Sequence, residues 1–169
     1  MGIAVAIYLA RDYWHDTVLA YYLGRTQLAA ERYGFDLPTV DEVEILALGG
    51  EAAKGQPDSF PADFGPPAST LNRHTVQGDE AEAIAKIWRL VPTKPLFRLL
   101  WCHRPYYALR FRAQGKLLLE TSVCWHCGTY SLPVKGLGTS YYGFDAKSEK
   151  AQTLLATLTE YAPHPEPAH

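Results

Sequence analysis

Apolar residues recur at helical spacing near the start of the chain. Trp14, Val18, Tyr21, Tyr22, Leu28 and Ala29 fall on one stripe, which predicts a helix over residues 3–33 with its apolar face inward. A break is expected near Arg11, and Gly34 closes the helix in a left-handed C′ role. "VEILAL", Val43–Leu48, is a short apolar run ended by Gly49 and Gly50; it predicts a buried strand. The pattern then vanishes. Residues 49–78 are rich in Gly and Pro and read as one long loop. Phe60 and Phe64 inside it either pin the loop to the body or offer a partner two apolar anchors.

Periodicity returns in "GDEAEAIAKIWRLVP". Ala81, Ile84, Ala85, Trp88 and Val91 form a helical stripe, Asp79 stands in the capping position, and Glu82 follows at capping-box spacing. Three alternating runs come next, Leu96–Cys102, Tyr106–Arg112 and Lys116–Cys124. They predict a three-strand meander. The turn "AQG" suits a three-residue loop that sets Phe111 against Leu117 and leaves Glu120 diagonal to Arg110. Residues 128–143 are Gly-rich and read as an excursion. The last stripe, Ala151, Leu154, Leu155, Leu158 and Ala162, predicts a helix over Glu149–Ala162 capped by Ser148. Residues 163–169 form a Pro-rich tail.

Helix, strand, loop, helix, meander and helix in that order predict one α+β domain over residues 1–169. An antiparallel sheet, the meander plus one further strand, packs with N-terminal, central and C-terminal helices. The length of 169 residues suits one core.

Composition narrows the function classes. The chain is 47% apolar and 20% charged, with a net charge of −2, so it lacks the basic field that holds nucleic acid. Eleven Tyr and four Trp supply area suited to cores and interfaces alike. Gly2–Ala10 is apolar but has no basic region before it, and it is too short for the roughly 20 residues of a membrane span. The expectation is a cytoplasmic protein; the alternative is a periplasmic one held by an N-terminal membrane anchor.

Candidate chemistry gathers at three cysteines, Cys102, Cys124 and Cys127. The meander register places Cys102 and Cys124 on one face, about 10 Å apart across the middle strand, too far for a direct disulfide. Three readings stand open. Cys102, Cys124 and Cys127 with His103 or His126 supply zinc-type ligands. Cys124 and Cys127 have the spacing of a redox pair, although the first ends a strand and not a loop before a helix. Buried thiols that only pack the sheet end are the third. Arg98, Arg110 and Arg112 share a face with Glu120, as a solvated patch or an anion site. No hydrolase elbow, zinc-protease, phosphate-loop or dinucleotide motif occurs.

"CHRPYYALRFRAQGKLLLETSVCWHCGTY" and "GFDAKSEKAQTLLATL" together resemble a group of uncharacterised bacterial proteins. That group carries a C-H-x-P turn, an L-R-F strand, an E-x-S-x-C-W-x-C strand end and an F-D-x-x-S helix start. The likeness rests on Cys102, His103, Pro105, Arg110, Phe111, Glu120, Cys124, Trp125, Cys127, Phe144 and Asp145. It implies no activity. In size, charge and lack of catalytic motifs the chain is also similar to immunity proteins of bacterial toxin systems. That likeness implies a non-enzymatic domain that binds a cognate toxin, with the 49–78 loop as the expected contact. A small zinc-binding or thiol-redox protein is the alternative.

Overall fold

The computed structural model describes residues 18, 20–53, 56–61, 67–91 and 103–165. Phe64, Arg98, Cys102, the apolar run 2–10 and the expected strand 96–102 lie outside them. A helix, α1, covers 20–30 and continues into a π-helical turn at Glu31–Phe35. Then come β1 (Glu42–Glu51), β2 (Ser59–Phe60), β3 (Ala68–Gln77), α2 (Asp79–Leu90), β4 (Tyr107–Ala113), β5 (Lys116–Cys124), β6 (Thr129–Val134), β7 (Gly138–Gly143) and α3 (Glu149–Tyr161).

Among the described residues, seven strands form one antiparallel sheet in the order β2-β3-β1-β4-β5-β6-β7, curled into a half-barrel. The α+β class and the antiparallel sheet are as expected, but the meander is not. Both edges of β4 are taken, by β1 from Glu42↔Arg112 to Ala47↔Tyr107 and by β5. β1 earns its central place because both of its faces are apolar: Val43, Ile45 and Ala47 point one way, Leu46 and Leu48 the other.

The expected loop 49–78 contains β3, which pairs with β1 from Glu42↔Gln77 to Glu51↔Ala68. Its sequence, ASTLNRHTVQ, is polar because most of it faces solvent beside the sheet edge. Its pairing is set by tertiary partners. Gly49 permits one of them, since a Cβ there meets the Leu71 side chain at 2.7 Å. The excursion 128–143 is the β6–β7 hairpin, paired from Thr129↔Gly143 to Val134↔Gly138.

The β4–β5 turn has two residues, not three. Gln114 (φ 52°) and Gly115 (φ 73°) are both left-handed, as a tight primed turn requires. A bulge opposite Phe111/Arg112 then absorbs one residue and restores the alternation. Arg110 therefore faces Glu120 directly and Phe111 faces Leu119.

All three helices bury side chains with one sheet face. Ala81, Ile84, Ala85 and Trp88 of α2 and Ala151, Leu154 and Leu158 of α3 join Val43, Ile45, Leu109, Phe111 and Leu119 in the main core. Trp88 is fully buried, its ring 5.8 Å from Phe111 and 5.5 Å from Tyr130, and its indole N–H donates to the Tyr33 carbonyl at 2.9 Å. Ser148 caps α3 as expected, accepting from the Ala151 N–H. Asp79 does not cap α2: Gly78 (φ 61°) holds that position. Glu82 instead accepts from the Val40 N–H at 2.9 Å and from Arg89 at 2.7 Å.

α1 departs most from its reading. Gly34 is not left-handed; it is buried inside the π turn. Thr26, Ala29 and Ala30 are the buried side of the helix, while Val18, Tyr21, Tyr22 and Leu28 are exposed. Short side chains let α1 lie close to the β6–β7 hairpin, where Tyr142 donates to the Thr26 carbonyl at 2.8 Å and Arg25 to the Lys135 carbonyl. No helix among the described residues is long and apolar enough to cross a membrane.

Candidate functional site

Cys124–Trp125–His126–Cys127 is the tip of the β5–β6 hairpin. β5 ends where Cys124 pairs with Thr129, so the chain reverses within four residues. Each of the four side chains has a different fate. Cys124 is 1% exposed on the sheet face away from the helices. Trp125 turns to the helix side, packs edge-on against Tyr107 and Phe144, and donates to the Ala151 carbonyl at 3.3 Å. His126 is exposed and Cys127 half-exposed. The Cys127 N–H donates to Cys124 Sγ at 3.3 Å, and the Gly128 N–H donates to the Trp125 carbonyl at 3.2 Å.

Gly128 is required where it stands. Its φ is +58°, and a Cβ on it comes within 2.8 Å of the Phe144 carbonyl oxygen. Phe144 in turn donates its N–H to the Gly128 carbonyl at 2.8 Å. The turn is thus clamped to the segment that leads into α3. A groove of about 460 Å³ opens between them, with Cys127, His126, Asp145, Lys147 and Gln152 along its walls.

Beside the turn, on the sheet face away from the helices, lies a cluster of hydroxyls around His103. Its Nε2 is 2.8 Å from Ser122 Oγ and its Nδ1 is 2.9 Å from Thr129 Oγ1. Ser131 Oγ accepts from the Ser122 N–H at 2.8 Å and lies 2.9 Å from Ser122 Oγ. Thr121 donates to the Ser131 carbonyl at 2.6 Å. The β5–β6 ladder is paired only at Val123↔Tyr130 and Cys124↔Thr129. Beyond it, side-chain hydroxyls take up the backbone groups that a longer ladder would satisfy. The Tyr141 ring leans on the imidazole at 4.6 Å between centroids. Burial pulls the His103 pKa down to about 4, so the ring is neutral at physiological pH. A neutral imidazole both donates and accepts, which matches its two hydroxyl partners.

The expected zinc residues are therefore divided. Cys124 and Cys127 share the turn, His103 sits beside it with both nitrogens engaged by hydroxyls, and Cys102 lies outside the described residues. No group of three or more His, Cys, Asp or Glu among the described residues is placed to hold a metal ion. Ser122, Thr129, Ser131 and Tyr141 were missed from sequence. The available signal was Ser122 near the end of β5 and Thr129 and Ser131 alternating along β6.

The expected binding residues are also placed. Phe60 is 6% exposed and fills a small second core with Leu46, Leu48, Ala68 and Ala108. It pins its segment to the sheet and is not presented outward. Arg110 lies against that ring at 5.9 Å and bridges Glu120 at 2.6 Å and Glu44 at 3.1 Å. Arg73 joins Glu44 to Asp58, and Arg112 pairs with Glu42 at 3.3 Å. The arginines of this face are thus interleaved with carboxylates, which makes it a charge ladder and not a basic patch.

The described apolar exposure is uneven. Of nine large apolar side chains that are exposed, six belong to 18–35: Val18, Tyr21, Tyr22, Leu23, Leu28 and Phe35. Tyr21 and Leu28, seven residues apart, share one face of α1, and the exposed Val18 and Tyr22, four apart, lie beside it at the helix's N-terminal end. Tyr21 and Tyr22 meet edge-on at 6.1 Å, and Arg25 sits over the Tyr21 ring at 5.7 Å. Set against protein families, curated proteins and solved structures, the chain matches none of them.

Proposed function

We propose that this is a non-enzymatic protein-binding domain of the immunity type, which binds and neutralises a bacterial toxin or effector through α1. The observation that carries the reading is the outward stripe of Val18, Tyr21, Tyr22 and Leu28. An aliphatic and aromatic stripe in water is costly, at roughly 25 cal/mol per Å². Exposed apolar patches on soluble domains mark interaction surfaces. Tyrosine suits such a surface because it supplies large rigid area and a polar tip. The contact moves from the 49–78 loop to α1, because Phe60 is pinned beneath that loop and β3 occupies its second half.

The test is co-expression with the products of adjacent genes, since an immunity gene sits beside its toxin. One neighbour product arrests growth alone, and the wild-type chain restores growth. The Tyr21→Asp/Leu28→Asp double variant, folded by circular dichroism, fails to restore it. Full protection by that variant contradicts the reading, as does a set of neighbours none of which binds the chain.

A further inference from the structure

The Cys124–Cys127 turn carries a chemistry that partner binding through α1 does not use. Packing accounts for Cys124, which is 1% exposed. It does not account for Cys127, which is half-exposed and lines the groove. The N–H···S bond of 3.3 Å from Cys127 to Cys124 holds the two residues across one tight turn. Turn residues three apart have Cα atoms within about 7 Å, inside the range a disulfide spans. Gly128 and its clamp to Phe144 keep the turn in this shape.

We propose that Cys124 and Cys127 form a reversible dithiol–disulfide couple that exchanges with small disulfides entering the groove. Cys127, the accessible thiol, loses its proton and attacks one sulfur of RSSR. The S–S bond breaks, a mixed disulfide forms on Cys127, and the leaving RS⁻ takes up a proton. Cys124 then loses its proton and attacks Cys127 Sγ, the mixed disulfide breaks, and the second RS⁻ leaves and is protonated. Two protein thiols are oxidised by two electrons and one RSSR becomes two RSH, so the balance closes without another reactant. The groove suits a peptide disulfide of the glutathione class: Lys147 offers a cation for its carboxylates, Gln152 an amide, and Trp125 and Phe144 apolar walls.

The experiment uses the full chain, reduced, freed of reductant and incubated with glutathione disulfide. Alkylation and intact mass then report the products. The wild type and the Cys102→Ser variant both become lighter by two hydrogens, and peptide mapping joins Cys124 to Cys127. The Cys124→Ser variant stops at a glutathione adduct on Cys127, which persists about tenfold longer than in the wild type. Circular dichroism checks that variant's fold, and the Cys102→Ser result stands without it. Three outcomes overturn the proposal. They are native thiols that stay reduced under conditions that oxidise the unfolded chain, a disulfide that requires Cys102, and stoichiometric zinc that protects both thiols.

Discussion

His103 Nε2 lies 2.8 Å from the Ser122 hydroxyl, while its other nitrogen meets Thr129. One imidazole therefore ties the end of β5 to the start of β6 at the point where their ladder stops. Burial lowers the His103 pKa from 6.5 to about 4. Between those values the unfolded chain binds more protons than the folded one, so stability rises with pH across this window. It is complete above the unfolded value and is lost as pH falls towards the folded one. At pH 5 the loss amounts to about 1–2 kcal/mol. Urea unfolding at pH 7.5 and pH 5 measures it, and His103→Gln flattens the difference. An equal slope in the variant assigns the pH dependence elsewhere.

Gly128 is the backbone hinge of the cysteine turn. Gly128→Ala forces a Cβ to within 2.8 Å of the Phe144 carbonyl at a left-handed φ. The expected destabilisation is about 2–4 kcal/mol, visible as a lower urea midpoint and a loss of near-ultraviolet signal from Trp125. Gly115 is also left-handed but has open space around it. Gly115→Asn is expected to cost under about 1 kcal/mol.

Arg110 sits between two carboxylates, and the Glu44 side chain beneath it is 13% exposed. Arg110→Ala leaves Glu44 and Glu120 facing each other without their shared cation, although Arg73 still reaches Glu44 at 3.3 Å. The expected cost is about 1–3 kcal/mol. Arg112→Ala, which breaks one half-exposed pair, is expected to cost under about 1 kcal/mol. Chemical denaturation of the two variants side by side checks the ordering.

Trp88 links α2 to both halves of the sheet through Phe111 and Tyr130. Trp88→Ala is expected to cost about 3–5 kcal/mol, enough to unfold a domain of ordinary stability. Trp88→Phe keeps most of the volume but strands the Tyr33 carbonyl, and is expected to cost about 1–3 kcal/mol.

Much of this was legible in residues that face one way throughout an element. The α2 stripe, the Ser148 cap, the core side of β1, β4 and β5, and the outer-face position of Cys124 all follow from period and turn chemistry. What escaped was set by contacts distant in sequence. β3 reads as loop because its polar residues are satisfied by Glu44, Asp58 and β1, none of them its neighbours in sequence. Of the described members of the expected α1 stripe, Ala29 is buried and Val18, Tyr21, Tyr22 and Leu28 are exposed; nothing in "VLAYYLGRTQLAA" says which side meets β7, and the small Thr26, Ala29 and Ala30 are the ones that fit there. The expected β4–β5 register, Phe111 against Leu117, differs from the observed Phe111↔Leu119 by two residues: the turn is one residue shorter, and the bulge, which leaves no mark in the apolar pattern, adds the other. His103 was singled out for its neighbour Cys102, yet its partners are Ser122 and Thr129, brought to it by the β5–β6 reversal.

Binding through α1 is tested most directly by calorimetric titration of the chain with the neighbour-encoded protein that it protects against. Leu28→Asp, in a folded protein, is predicted to weaken the complex by about 30-fold or more, some 2 kcal/mol. Lys116→Asp, on the β4–β5 turn and outside the α1 stripe, is predicted to bind as the wild type does. Unchanged affinity in Leu28→Asp contradicts binding through this helix.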